Sequence, residues 1–213
     1  MGLYSKIFRP WPPIRDAGAL ADFIDEQAAF VAQKGIYEYS RARAGHYAKV
    51  LFREQSFQEA VERSRWQAYP LGLVMVGELA EGVLTAQAGL QRRFVLEPLA
   101  RVVVAVFDRY PTPEALGAQV WRDARNELER RLQLIGLHPP KRAKDIPEPF
   151  ADSYFALMPI HKKLRATDYG TTKNYLKVTL CNVHDELTRR IDAKAVAGAL
   201  GLGKEHASTE PHR

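Results

Sequence analysis

The sequence lacks most of the residues that announce a chemistry. One cysteine, Cys181, stands in 213 residues, which rules out an internal disulfide and fits a reducing compartment. No serine lies in a Gly-x-Ser-x-Gly elbow, so an α/β-hydrolase is not expected. No glycine-rich phosphate loop follows a strand pattern. Cys181 and His184 sit one helical turn apart, but a metal site needs three or four ligands and no second pair stands out. Asp22 and Glu26 have the spacing of a magnesium clamp in helical prenyl-transfer enzymes. The only similar pair is Asp123 with Glu127, and exposed acids at that spacing are common. No catalytic residue, metal or cofactor is expected.

Long apolar runs are also missing. MGLYSKIFRPWPP holds none of signal-peptide length. The most apolar stretch, Leu71 to Leu84, is interrupted by Glu78 and Glu81 and is too short to span a bilayer. The expected location is the cytoplasm, with peripheral contact at the inner membrane surface as an extension. Positive charge is not concentrated. The net +6 and pI near 9.4 arise from a thin excess along the whole chain. That excess suits loose attraction to RNA, lipid headgroups or an acidic protein. HDEL at 184–187 is internal and cannot act as a retention tail. Residues 192–208 resemble the front of a helix-turn-helix, but too little chain follows for a recognition helix.

What is present is helical periodicity. Residues 1–15, with Pro10, Pro12, Pro13, Phe8 and Trp11, read as an extended arm that packs on the core or meets an interface. Asp16 starts a helix whose apolar face is Leu20, Phe23, Ile24, Ala28 and Val31; Gly35 and Gly45 weaken its continuation. Tyr37, Tyr39 and Tyr47 interleave with Arg41, Arg43 and Lys49, a pattern that suits single-stranded nucleic acid as well as an amphipathic helix. Ser56 and Glu59 form a capping box, and Pro70 ends or kinks the helix they start. Gly72, Gly77 and Gly82 predict close approach of a neighbouring helix. Glu78 falls on or near the buried side of this helix, or else is a rim carboxylate paired with an arginine. Residues 90–109 carry a valine run of strand composition. With helices on both sides, a helix beginning at Pro98 is the better reading.

The stretch Thr112 to Asn182 has the most ordered pattern. Thr112-Pro113-Glu114 predicts a helix start, with a stripe of Leu116, Val120, Ala124, Leu128, Leu132 and Ile135 and with Trp121 beside it. Gly136 is the expected left-handed stop, placing Leu137 on Leu132. Asp145 caps an aromatic helix through Phe150, Tyr154, Leu157, His161 and Leu164, kinked by Pro159. Asp168-Tyr169-Gly170 is a turn. A last helix runs from about Thr172 to Asp192 on Leu176, Leu180, Val183, Leu187 and Ile191.

In order, these pieces resemble the ubiquinol–cytochrome c chaperone family over about residues 56–182. The matched features are VWRDARNELERRLQLIG, the basic pair Lys141-Arg142, PFADSYFAL, the Asp168-Tyr169-Gly170 turn and NYLKVTLCN. The resemblance implies a non-enzymatic chaperone that binds newly made cytochrome b, near the ribosome or membrane, during assembly of the bc1 complex. Residues 1–55 have no counterpart in it, and residues 88–111 look like an insertion.

The expected architecture is all-α: an irregular bundle of six to eight helices, with an arm at 1–15, a single domain at 16–200 and a frayed tail at 201–213. The expected function is a protein-binding assembly factor without catalysis. Its contact surface would be the basic, aromatic side of Trp121, Lys141, Arg142, Lys144, Phe150 and Tyr154. A helical adaptor that binds RNA or an anionic membrane through residues 1–15 and 37–53 is the alternative. An enzyme with a helical cavity comes third, and would need a pocket gathering two or more acids or histidines.

Overall fold

One helix, α4 (Gln55–Ala88), runs through the middle of the molecule and organises the rest. Its 34 residues span about 50 Å at the usual α-helical rise. From Ala68 to Leu84 nearly every side chain is buried, so this part has no solvent face. By length and composition α4 could cross a membrane, but 67% of its most apolar window is buried inside the protein. It is the core helix of the bundle. The computed structural model describes residues 12–202; the expected arm up to Trp11 and the tail from Gly203 lie outside the described residues.

The fold is an all-α bundle, and no strand occurs among the described residues. Around α4 pack α1 (Ala17–Ala29), α2 (Gly35–Ala44), α5 (Arg92–Phe107), α6 (Ala118–Leu134), α8 (Tyr169–Arg190) and α9 (Ala193–Ala199). Two short helices, α3 (Ala48–Leu51) and α7 (Ala151–Ala156), complete the set. Of the residues Pro12 to Arg15, Ile14 reaches the core while the others are exposed. Ile14 is buried and exchanges backbone hydrogen bonds of 2.9 Å with Arg190 and Asp192. At the far end, Gly201 at φ 76° lets the Leu202 N–H close on the Ala197 carbonyl at 2.9 Å and finish α9.

Several starts and faces follow the periodicity. Asp16 caps α1 by accepting from the Ala19 N–H at 2.8 Å. Residues 92–107 form a helix rather than a strand, and α8 buries Leu176, Leu180, Val183 and Leu187. The close approaches predicted for α4 occur at two of three glycines. A Cβ on Gly72 would lie 2.6 Å from the Ala28 carbonyl oxygen of α1, and one on Gly77 would lie 3.0 Å from Val103 of α5. Gly82 faces open space.

Other expectations fail, some for tertiary and some for local reasons. Pro70 does not end α4: packing on all sides outweighs the one backbone bond lost there. The capping box does not form. Glu54 occupies the cap position, and the Gln55 amide takes the Glu59 carboxylate at 2.8 Å. Pro98 lies inside α5, which begins at Arg92. Thr112-Pro113-Glu114 opens a single turn that buries Leu116, and the extended backbone of Gly117 separates this turn from α6. On α6 the buried side runs through Trp121, Leu128 and Leu132, while Val120 faces solvent. Gly136 is not left-handed. It sits in a 3-10 turn, Ile135–Leu137, and Leu137 is exposed. Arg92 anchors this end from outside the helix: its guanidinium donates to the Ile135 carbonyl at 3.0 Å and to the His138 carbonyl. Asp145 ends a 3-10 turn, paired with Arg142, and caps nothing. The aromatic helix stops at Ala156, before Pro159 can kink it, because the buried Arg165 donates to the Phe155 and Ala156 carbonyls. Asp168 precedes the first turn of α8 instead of forming a separate turn. Its carboxylate accepts from Tyr39 at 2.7 Å and pairs with Arg43 at 2.9 Å.

Candidate functional site

Helix α6 separates two hollows. The first is an open groove between α5 and α6, about 590 Å³ in volume. Leu96, Ala100, Val104 and Leu132 give it an apolar floor, and Glu97, Arg101, Asp108 and Glu129 rim it. The rim is locally acidic on a chain of net charge +6. Its charges are tied to one another: Arg101 holds Glu97 at 2.5 Å, and Arg125 spans Asp108 at 2.7 Å and Glu129 at 2.8 Å. The fork of Arg125 keeps the Asp108 carboxyl below its usual range.

The second hollow, about 270 Å³, lies between α4, the end of α6 and the link that follows. Val74, Leu134, Ile135 and Phe150 form its apolar wall. Its polar side gathers Glu78, His138 and Lys141. Glu78 is only 4% exposed and is no rim residue. Its partner is not an arginine: the Lys141 ammonium lies 3.0 Å from its Oε1, with His138 Nε2 at 3.7 Å. The ammonium stands at charge-contact distance but out of line, and Oε1 receives no hydrogen bond. Lys141 Nζ also sits 3.2 Å from His138 Nε2. Nδ1 of the same ring lies 2.9 Å from the Pro139 carbonyl oxygen, an arrangement that suits the neutral Nδ1–H tautomer with Nε2 as acceptor.

The six residues expected at a contact surface do not form one face. Trp121 is in the core, stacked on Phe107 at 4.2 Å and edge-on to Trp66 at 5.8 Å. Tyr154 is fully buried. It donates to the carbonyls of Val31 and Ala32 at 3.3 and 3.0 Å, and burial pushes its phenol well up. Those carbonyls belong to a π-helical segment, Phe30–Lys34, between α1 and α2. Gly35 is required beside it, because a Cβ there would collide with Tyr154 and come 2.5 Å from Tyr175 Cε1. Phe150 is buried beneath the Arg131 guanidinium at 5.2 Å and, with Lys141, lines the second hollow. Arg142 pairs with Asp145 at 2.6 Å, and Lys144 is exposed on the link.

Sequence reasoning missed His138 and the lysine partner of Glu78. The available signal was two carboxylates inside an apolar helical run, each of which must find a counter-charge once buried. The groove left no sequence signal, because its floor mixes residues from two helices whose contact is tertiary.

Several acids elsewhere are engaged. Asp25 accepts from Tyr69 at 2.6 Å and from Tyr110 at 2.9 Å, while Arg109 pairs with Asp22 at 2.8 Å. The stretch from α2 through the 3-10 turn Gly45–Tyr47 and α3 exposes Tyr47 and Val50, with Arg41, His46, Lys49 and Arg53 also exposed along it.

Against known proteins, the chain matches no family model, no curated protein and no solved structure at a significant level.

Proposed function

We propose that the chain is a non-enzymatic, protein-binding assembly factor that holds a segment of a client protein in the groove between α5 and α6. The carrying observation is the groove: an apolar floor with an acid-rich rim on a basic protein. An amphipathic helix laid in such a groove buries its apolar stripe, and basic residues flanking that stripe meet the rim. The client class is therefore a helix with Lys or Arg beside its apolar face. Cytochrome b is the client that the resemblance implies. The sequence of elements also supports it: a long charged helix, a basic link, a short aromatic helix and a closing helix.

The test has two parts. Tagged protein should co-purify with cytochrome b, and deleting the gene should lower assembled bc1 complex; unchanged bc1 complex would exclude this client. Ala105→Arg puts a cation in the groove from an exposed position. It should weaken client capture about ten-fold without changing helicity. Equal capture by this variant would move the contact elsewhere.

A second reading rests on the exposed Tyr47 and Val50 with four exposed basic or imidazole residues along the same stretch. It suits an anionic lipid surface. Binding to acidic vesicles that falls steeply with salt would support it. Salt-dependent retention of single-stranded RNA alone would assign the patch to nucleic acid instead.

A further inference from the structure

Glu78 poses a specific problem. Its carboxylate is almost wholly buried, and Oε1 faces the Lys141 ammonium at 3.0 Å out of line without an aligned hydrogen bond. A buried oxygen in that state is better satisfied once an aligned donor reaches it. It belongs to the lining of a hollow of about 270 Å³, so there is room for a donor from outside the chain.

The other walls state what that donor must be attached to. The same hollow is lined by Lys141, Arg131 and Arg130. Both arginines share Glu127, at 2.6 Å each, while Lys141 faces the same space from beside Glu78. An ammonium has three donors. The His138 Nε2 contact takes one, and because the ammonium is not aligned on Glu78, a further donor suits an anionic oxygen. Opposite stand Val74, Leu134, Ile135 and Phe150, an aliphatic and aromatic wall. The volume is at the low end for small-molecule pockets, which usually start near about 300 Å³.

We infer that this hollow is a binding site for a small carboxylate that carries a donor group on the adjacent carbon and a short apolar body. The donor completes Glu78 Oε1, the carboxylate meets Lys141, and the apolar body lies against Leu134, Ile135 and Phe150. Apolar amino acids and 2-hydroxy acids share this chemistry. The first offers an ammonium to Glu78 and the second a hydroxyl. The site lies across α6 from the groove assigned to the client, so it stands or falls separately from the assembly-factor reading.

The experiment is calorimetric titration of the full chain with four probes. L-leucine and 2-hydroxy-4-methylpentanoate carry both groups; 4-methylpentanoate lacks the donor; 3-methylbutylamine lacks the carboxylate. At least one of the first two should bind about ten-fold tighter than the last two. Preference between the first two decides whether Glu78 takes an ammonium or a hydroxyl. Leu134→Trp fills the hollow from a half-exposed position and should abolish binding. Glu78→Gln should erase the advantage of the donor-bearing probes. Since either change could disturb folding, both variants are compared at equal helical circular dichroism. Lys141→Met on the Glu78→Gln background, where no charge is left unpaired at this pair, serves as the third arm and should weaken all carboxylates. No binding of any probe by the parent protein overturns the inference. Binding of equal affinity in Leu134→Trp and Glu78→Gln also overturns it, because the ligand then sits elsewhere.

Discussion

Glu78 and Glu81 sit one turn apart on the same helix and are equally buried, yet their surroundings differ in kind. Glu81 accepts from Arg92 at 3.0 Å and from Thr85 at 2.9 Å. The same guanidinium reaches the Ile135 and His138 carbonyls, so one planar cation ties α4, α5 and the end of α6 together. Glu78 has a lysine from an irregular link, one imidazole nearby and an oxygen without a hydrogen bond. A guanidinium has fixed forks and locks several acceptors at once, whereas an ammonium is a point charge on a flexible stem. Burial alone therefore does not mark a functional carboxylate. What separates the two is whether the protein itself completes the hydrogen bonding.

The strongest way to break this comparison is at Arg92. Arg92→Met removes the partner of a carboxylate that is 2% exposed and strips two backbone carbonyls of their donor. Removing one member of a buried pair costs about 3–5 kcal/mol. Chemical denaturation should show a loss of that size. A loss below about 1 kcal/mol would mean that Glu81 finds other partners and that the rivet is not one.

Lys141→Met should cost less, about 1–3 kcal/mol, because the hollow can admit water to Glu78 once the ammonium is gone. The cost should vanish when Glu78→Gln is added, since the unpaired charge is what destabilises. A double-mutant cycle measures this coupling. If Lys141→Met proves as damaging as Arg92→Met, the two carboxylates are equivalent and the contrast fails.

The sequence made some of this readable and hid the rest. Several features decided within a helical turn were legible. Asp16 capped its helix, α8 buried the apolar positions of its own stripe, and the valine run became helix. Features decided by a distant side chain were not. Gly136 reads locally as a glycine stop, but the chain runs on into a 3-10 turn whose Ile135 carbonyl is held by Arg92 from 43 residues away. Trp121 lies beside the expected stripe of α6 and displaces Val120 from the core because Phe107 and Trp66 offer ring faces to it. Asp168 looked like a turn residue until Tyr39 and Arg43 claimed its carboxylate. That hydrogen bond, after burial, helps push the Tyr39 phenol up to about 12. The candidate sites follow the same rule. Both hollows join residues far apart in sequence, so periodicity could place their members on helices but not opposite one another.

The smallest effect sharpens the comparison from the exposed side. Glu127 is paired more fully than either buried acid: Arg130 grips both its oxygens at 2.7 and 2.6 Å, and Arg131 adds a third bond at 2.6 Å. Arg130 first, then Arg131, hold its carboxyl down from 4.5 to about 2 against partial burial. A depressed carboxyl stabilises the folded state above its unfolded value, and that contribution is lost as pH falls through the folded value. The relevant window is therefore from 4.5 down to about 2. Yet 41% of the side chain is exposed, so solvent and salt screen most of the attraction. Glu127→Gln should cost below about 1 kcal/mol at neutral pH and should flatten the acid limb of stability against pH. Its neutral-pH cost should shrink further in added salt, unlike that of Arg92→Met. If Glu127→Gln matched Arg92→Met, pairing rather than burial would set the scale, and the distinction between the two buried carboxylates would have to rest on partner count alone.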